Sequence, residues 1–272
     1  MGRTLYLTET EKFRCTADGP SIWIDWEKRA GQRVPLRLIS RCIIVGNIHL
    51  ESGLICLLAS NNIPIIFTNA SGHELAIAVP YNHHLPRYWR DQRVFLETRK
   101  NRERFIDWAR IKRMVLQLSL LRLLFPERAN TFIRDISERD YQELVSSFKP
   151  REEAKWKTVK RFIENLFRSL IIESLVEAKL NLDLGIIHRY HNLGLALDFG
   201  YVLEPRVDEQ GIEFFRDTRG NALLLKQERT WCLTKEGVKE AIQRFEKKRE
   251  ENEDVIANTL DEFFLLMREL RS

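Results

Sequence analysis

The stretch RFIDWARIKRMVLQLSLL, residues 104–121, decides the fold class of the longer part of this chain. Its apolar residues recur at intervals of three or four: Phe105, Trp108, Ile111, Val115, Leu118 and Leu121. This spacing places them on one stripe of an α-helix, and we expect the stripe to face the core. Further helical patterns are found near residues 137–148, 155–180, 235–249 and 256–270.

The first 80 residues have a different periodicity. Residues 21–26 alternate, with Ile22, Ile24 and Trp26 on one side, which is typical of a half-buried strand. Short apolar runs separated by turn signals follow, with one short helix among them that Ser52 is expected to cap. The sequence therefore predicts an α+β protein. We expect a small N-terminal mainly-β domain over residues 1–80, a linker over 81–87 and a larger all-α domain over 88–272.

The composition excludes several classes of protein. The chain has 272 residues, of which 44% are hydrophobic and 31% charged, so it is not disordered. No apolar run reaches the roughly 18 residues of a membrane span, and residues 1–10 contain no apolar core of a signal peptide. The four cysteines are scattered and do not have metal-ligand spacing. We therefore expect a cytoplasmic protein with no membrane partner, no disulfide framework and no cysteine zinc site.

The charge is unevenly distributed. The net charge is +5, but residues 86–134 alone contain 13 Lys or Arg against 5 Asp or Glu, a difference of +8. Such a segment is either a nucleic-acid footprint or a solvated, arginine-rich helix face. Tyr88, Trp89 and Trp156 lie among or near these charges. We expect them to pack in the core, with stacking on bases as the alternative.

One histidine and one aspartate stand out among apolar neighbours. His188 follows the apolar stretch Leu184–Ile187, and Asp198 comes ten residues later within Leu195–Phe199. A buried acid is costly unless it is hydrogen-bonded, paired with a charge or bound to a metal. The pair is either part of a metal site or a structural hydrogen bond.

The motifs along the chain resemble those of one known family, the CRISPR-associated integrase of spacer acquisition, which is the first and near-universal protein of CRISPR adaptation. The resemblance is carried by short segments in the expected order: TLYL at 4–7, VPLRLI at 34–39, IIVGN at 43–47, LLASNNIPIIF at 57–67, GIIH at 185–188, LALD at 195–198 and LTKEG at 233–237. Each is weak alone, and together they span about 230 residues.

The resemblance implies a metal-dependent DNA integrase and endonuclease. Such an enzyme joins the 3′-hydroxyl of a short DNA fragment to the CRISPR repeat by transesterification. The family's catalytic and metal site consists of one Glu, one His and one Asp, and it binds magnesium or manganese. Carried over by residue, the His is His188, the Asp is Asp198 and the preferred Glu is Glu138, with Glu127 as the alternative.

The resemblance also implies partners. They are double-stranded DNA as spacer fragment and CRISPR repeat, a second copy of the chain bound through the β domain, and the small ferredoxin-like second protein of CRISPR adaptation. Basic residues in and after the long helix are the expected DNA contacts: Arg110, Arg113, Lys155, Lys157 and Arg161.

Two departures from the family pattern leave two hypotheses open. Ser137 falls on the Glu position when the segment is aligned without a gap, so that Glu138 requires a one-residue gap. Tyr201 stands where the family often has a second acid, and Glu204 replaces that acid only if a small insertion is allowed. The chain is therefore either a diverged, active integrase or a catalytically inactive, DNA-binding structural paralogue.

Overall fold

The computed structural model describes residues 2–9, 12–27, 29–79, 86–132, 135–216 and 220–269. Within these ranges the amino-terminal part consists of β1 (Arg3–Thr8), β2 (Phe13–Asp18), β3 (Ser21–Trp26), β4 (Arg29–Pro35), β5 (Ile39–Val45), α1 (Ser52–Ser60), β6 (Ile65–Thr68) and β7 (Glu74–Ala78). The remainder consists of α2 (Trp89–Glu97), α3 (Arg99–Leu124), α4 (Glu138–Ser146), α5 (Glu153–Glu177), α6 (Gly194–Arg216), β8 (Leu224–Gln227), β9 (Thr230–Leu233), α7 (Lys235–Lys247) and α8 (Arg249–Glu269). The α+β class with a β-rich start is confirmed. Residues 81–85 of the predicted linker, and residue 80 before it, lie outside the described residues.

Two sheets form the amino-terminal part. One has the strand order β1-β5-β6-β7, in which β1 and β6 run parallel to β5 and β7 is antiparallel. The other is the antiparallel meander β2-β3-β4. Strand β5 is buried on both faces, because Ile43 and Val45 pack with the helices while Cys42 and Ile44 pack inside the β domain. Burial on both faces is typical of a parallel strand.

The face that helix α3 presents to the core matches the predicted stripe in part, since Phe105, Leu118 and Leu121 are buried as expected. The expected stripe includes Ile111 and Val115, but these side chains are 58% and 51% exposed. The buried positions follow a spacing of four residues instead: Asn101, Phe105, Ala109, Arg113, Gln117 and Leu121. That stripe includes the polar side chains Asn101, Arg113 and Gln117. A search for apolar residues alone therefore does not identify the whole buried face of the helix.

Helix α6 lies outside the helical patterns that the sequence indicated. It contains Pro205 as well as Gly200 and Gly211, which are poor helix formers. Burial compensates for these residues, because α6 packs between α3 and α5 and most of its residues are inaccessible. Pro205 has no backbone N–H, so it leaves the Tyr201 carbonyl without its helical partner. This carbonyl accepts a hydrogen bond from Arg113 Nη1 at 2.6 Å.

Smaller expectations were tested at the helix ends. Thr234 caps α7, because its side-chain oxygen accepts a hydrogen bond from the Gly237 backbone N–H at 3.0 Å. The prediction that Ser52 caps α1 was wrong, because α1 begins at Ser52 and the cap position is Glu51, which makes no capping hydrogen bond. Helix α8 packs its apolar face into the main core. No described helix is long and apolar enough to cross a membrane.

A buried arginine joins the β1-β5-β6-β7 sheet to the helices. Arg41 on β5 is fully buried, and its guanidinium pairs with Glu173 on α5 and lies 3.7 Å from Glu246 on α7. Glu246 also accepts a hydrogen bond from Tyr6 on β1 at 2.6 Å. Two strands and two helices therefore meet at one ionic cluster, which fixes how the sheet sits on the helices.

We predict that Arg41→Ala lowers the free energy of unfolding by about 3–5 kcal/mol, because it leaves the Glu173 carboxylate buried without its cation. Urea unfolding measures the change. Arg99→Ala is the matched control, since Arg99 forms an exposed ion pair with Glu103, and such pairs contribute little to stability because solvent screens them. Equal effects in the two variants would contradict this account.

Candidate functional site

Asp198 holds a loop in place. Its side chain is fully buried, and its two oxygens accept hydrogen bonds from the backbone N–H groups of Ile186 at 2.5 Å, Ile187 at 3.2 Å and His188 at 2.8 Å. The His188 ring adds a contact from Nδ1 at 2.8 Å. These four contacts occupy the roughly four lone-pair positions of a carboxylate.

His188 lies at a cavity between α5 and α6. The cavity has a volume of about 260 Å³. It has apolar walls and polar groups, the latter being Glu164, Arg168, His188, Tyr201 and Glu204. Because Nδ1 of His188 contacts Asp198, Nε2 is the ring nitrogen left for a ligand in the cavity. The predicted pair of His188 and Asp198 is therefore in direct contact, in the arrangement of a structural hydrogen bond.

Glu138 is held by side chains of α3 and α4. Arg113 donates to both of its oxygens, at 3.3 and 3.1 Å, and Gln117 and Gln142 donate at 2.8 and 2.9 Å. Partial burial opposes ionisation, but the hydrogen bonds from Arg113, Gln142 and Gln117 lower the pKa of Glu138 to about 2. This carboxylate is also engaged at all of its positions, and no contact among the described residues joins it to His188 or Asp198.

Arg113 joins Glu138 to α6, and Lys160 pairs with the same carboxylate of α6. Arg113 Nη1 contacts Glu204 at 2.6 Å, and its guanidinium stacks on the Tyr201 ring at 4.6 Å. Lys160 Nζ contacts Glu204 at 2.5 Å and the fully buried Asp208 at 2.8 Å. The carboxylates in this part of the fold thus have protein cations as counter-ions.

The residues do not fit the divalent metal site that the family resemblance implies. A metal bound to Asp198 would displace buried backbone N–H donors, and each donor left without a partner costs about 1–3 kcal/mol. A metal bound to Glu138 would displace Arg113. Within the described ranges, no group of three or more His, Cys, Asp or Glu side chains could hold a metal ion. Glu127, the alternative ligand, is exposed on the short 3₁₀ turn after α3.

Glu164 is a site residue that the sequence analysis missed. Desolvation raises its pKa to about 7, against the lowering effect of nearby Lys160. The sequence contains a pattern that could have identified Glu164. Lys160, Glu164 and Arg168 are spaced four residues apart on a largely apolar helix. That spacing puts a polar stripe on a buried helix, and Glu164 and Arg168 of this stripe line the cavity.

The five residues that are predicted to contact DNA differ in exposure and in the side chains that they contact. Arg110 and Arg161 are exposed, and Arg161 contacts His73 at 3.2 Å. Lys157 is exposed and pairs with Glu153, whereas Lys155 stacks on Trp231 and pairs with Glu152. Arg113 is buried, with a side chain that is only 6% exposed, and its donors are used by Glu138, Glu204 and Tyr201. Arg113 is therefore not placed to bind phosphate.

Comparisons with known proteins agree with the fold. The family model described as CRISPR associated protein Cas1 matches residues 5–137. A CAS1 protein from Thermotoga maritima is similar in structure at 15% identity and TM-score 0.79, over 97% of this chain and 96% of its own. A casposase bound to integration product matches at 16% identity and TM-score 0.75, over 99% and 91%.

A third solved structure extends the comparison. A chain of a Cas6-RT-Cas1–Cas2 complex matches at 13% identity and TM-score 0.70, over 89% of this chain and 32% of its own. At such identities the likeness shows a shared fold. A search of the curated proteins finds no match.

We predict that Asp198→Asn frees the loop that precedes α6. An amide offers one acceptor oxygen and turns an N–H donor toward backbone N–H groups, so we expect a loss of about 2–4 kcal/mol in unfolding free energy. Hydrogen exchange should accelerate at the amides of Ile186, Ile187 and His188. Asp183→Asn is the matched control, because Asp183 accepts one backbone bond in the same loop, from Leu193. Unchanged exchange at the three amides would refute the role of Asp198.

We predict a pH-dependent gain in stability for Glu164→Gln. The folded-state pKa of about 7 lies above the ordinary glutamate value of 4.5, so wild-type stability falls as the pH rises between these two values. Since glutamine does not ionise, the variant should be more stable than wild type by about 2 kcal/mol at about pH 8 and nearly equal at about pH 5. Urea unfolding at both pH values measures this, with the exposed Glu127→Gln as control. A gain of the same size at both pH values would disprove the assignment.

Proposed function

The chain belongs to the CRISPR-associated Cas1 family, and on this premise we propose that it is a structural, DNA-binding member that acts without the family's metal-dependent strand transfer. One observation carries the proposal: the carboxylates of Asp198 and Glu138 are fully engaged by protein donors. Neither carboxylate has a lone pair left for an ion unless one of these hydrogen bonds breaks.

The neighbouring residues support the same conclusion. Tyr201, at the position of the family's frequent second acid, contributes its carbonyl and its ring to Arg113. Glu204, the possible replacement for that acid, is neutralised by Arg113 and Lys160. These groups act as an internal ionic frame that binds α3, α5 and α6 together.

Binding to DNA is supported by the family and by charge. Arginines on α2 and α3 remain exposed, among them Arg90, Arg93, Arg104 and Arg110. Exposed cations on rigid helices bind the phosphate backbone without reading the base sequence. We propose double-stranded DNA, as spacer fragment or CRISPR repeat, as the ligand.

The proposed assembly includes protein partners. A solved relative in fold is part of a complex with Cas2, and we propose that this chain also binds the small second protein of CRISPR adaptation. We further propose a homodimer through the β domain. The outer strands β1 and β7 of the larger sheet, and β2 and β4 of the meander, offer edges for such pairing.

One observation favours a second candidate, an active integrase. His188 is oriented by a carboxylate at Nδ1 and lines a cavity that also contains Glu164 and Glu204. A histidine oriented in this way is common at metal and catalytic sites. In that candidate Glu138, His188 and Asp198 are the catalytic residues and magnesium or manganese is the cofactor. The contacts described above do not favour this set.

We predict DNA binding that needs no divalent ion. The dissociation constant for a DNA duplex, measured by fluorescence anisotropy, should be the same with manganese and with chelator, and it should rise steeply with salt. Arg110→Gln should lower the salt slope by about 1, whereas Lys239→Gln on α7, outside the basic segment, should leave it unchanged. A protein that binds no DNA would overturn the proposal.

Strand transfer separates the two candidates. Wild-type protein, with its second-protein partner, is incubated with a 3′-hydroxyl duplex and a supercoiled repeat plasmid in manganese. We expect no transfer product above the level of His188→Ala. Manganese-dependent transfer by wild type that is lost in His188→Ala would establish the integrase instead.

A further inference from the structure

The second part of the connection between α5 and α6, residues 183–193, is a loop that is fixed at both ends. Asp198 binds the backbone at residues 186–188, and the Asp183 carboxylate accepts from the Leu193 N–H at 2.9 Å. Gly185 and Gly194 approach so closely that a Cβ on Gly185 would lie 2.4 Å from the Gly194 carbonyl carbon. The His191 N–H bonds to the His188 carbonyl at 3.1 Å, which closes the tip. These contacts restrain the loop backbone from one end to the other, so the loop is rigid.

The tip of this rigid loop presents an aromatic ring to solvent. Tyr190 is 92% exposed, the most exposed large hydrophobic side chain among the described residues. Its neighbour Arg189 lies 5.9 Å from the ring centre and is also exposed. His191 packs its ring against His188 at 5.7 Å, so the tip adjoins the cavity described above. Packing does not account for a tyrosine in this position.

A basic and aromatic helix borders the loop. The Tyr88 N–H bonds to the Lys179 carbonyl, and the Gln92 side chain bonds to the Asn181 backbone at both of its polar groups. These contacts place the start of α2 beside the residues that lead into the loop. There Arg90 and Arg93 are exposed, and Arg93 stacks on Trp89 at 5.1 Å.

We propose that the loop tip is a base-stacking contact for DNA, in which Tyr190 stacks on an exposed base and Arg189 binds the adjacent phosphate. This inference rests on the proposed DNA-binding function and deepens it. A ring flanked by cations on a rigid support is the arrangement that binds unpaired nucleotides, because every base has a π-face. Bases inside a duplex are already stacked, so the contact selects an unpaired nucleotide at a duplex end.

The proposal gives His188 and Asp198 a positioning role. Asp198 anchors the backbone at residues 186–188, and the ring of His188 packs edge-on against the ring of His191, next to Tyr190. A pre-organised loop loses little conformational freedom when the base stacks, which strengthens binding. The buried aspartate therefore serves recognition of DNA without touching it.

The test uses the full chain and two DNA probes, a blunt duplex and the same duplex with a short 3′ overhang whose first unpaired base is 2-aminopurine. Wild type should bind the overhang probe more tightly and quench its fluorescence. Tyr190→Ala should weaken overhang binding by roughly tenfold and abolish the quenching, with blunt-duplex affinity nearly unchanged. Tyr190→Phe should behave as wild type, because the ring is kept. Leu265→Ala, at an exposed position of α8, is the control.

The outcomes separate this inference from the proposed function. If wild type binds both probes equally and Tyr190→Ala matches it, the stacking contact is overturned while DNA binding stands. If Tyr190→Phe is as weak as Tyr190→Ala, a hydroxyl contact replaces stacking and the proposal also fails. If wild type binds neither probe, the proposed function fails and this inference fails with it.

Discussion

Burial of carboxylates among α3, α5 and α6 is the constraint that the centre of the helical part must satisfy. Asp198 and Asp208 have no solvent exposure, and a buried charge is tolerated only with full hydrogen bonding or a counter-charge. Asp198 meets the requirement with backbone N–H groups, which fixes the loop before α6. Asp208 meets it with Lys160 and with the Tyr141 hydroxyl at 2.9 Å.

The same constraint explains the buried polar stripe of α3. Arg113 and Gln117 face inward because Glu138 and Glu204 need donors there, and Pro205 adds a free carbonyl at Tyr201 that a further donor must satisfy. A chain of ion pairs thus connects α3, α4, α5 and α6. A comparable cluster around Arg41 connects β1 and β5 to α5 and α7, so α5 is the element that both clusters share.

The function that follows differs from a simple transfer of the family's chemistry. The histidine and aspartate of the family motif are in contact, but their geometry supports a loop, and the glutamate is engaged by an arginine. The match of residues 5–137 to the Cas1 family model, the exposed arginines on α2 and α3, and the exposed tyrosine of the loop before α6 are the grounds on which we propose DNA binding. The protein cations Arg113 and Lys160 supply the positive charge that the carboxylates require.

The fold class follows from the order of the amino acids alone, because helical and strand periodicities record which faces are apolar. The His188–Asp198 pairing could also be predicted, since an acid in an apolar run needs a partner. Long-range packing was needed to establish that polar residues complete the buried face of α3 and that α6 is a helix despite Pro205, because packing outweighs propensity. It alone placed Arg113 and Gln117 on Glu138, since the neighbours that engage a carboxylate come from segments far apart in the chain.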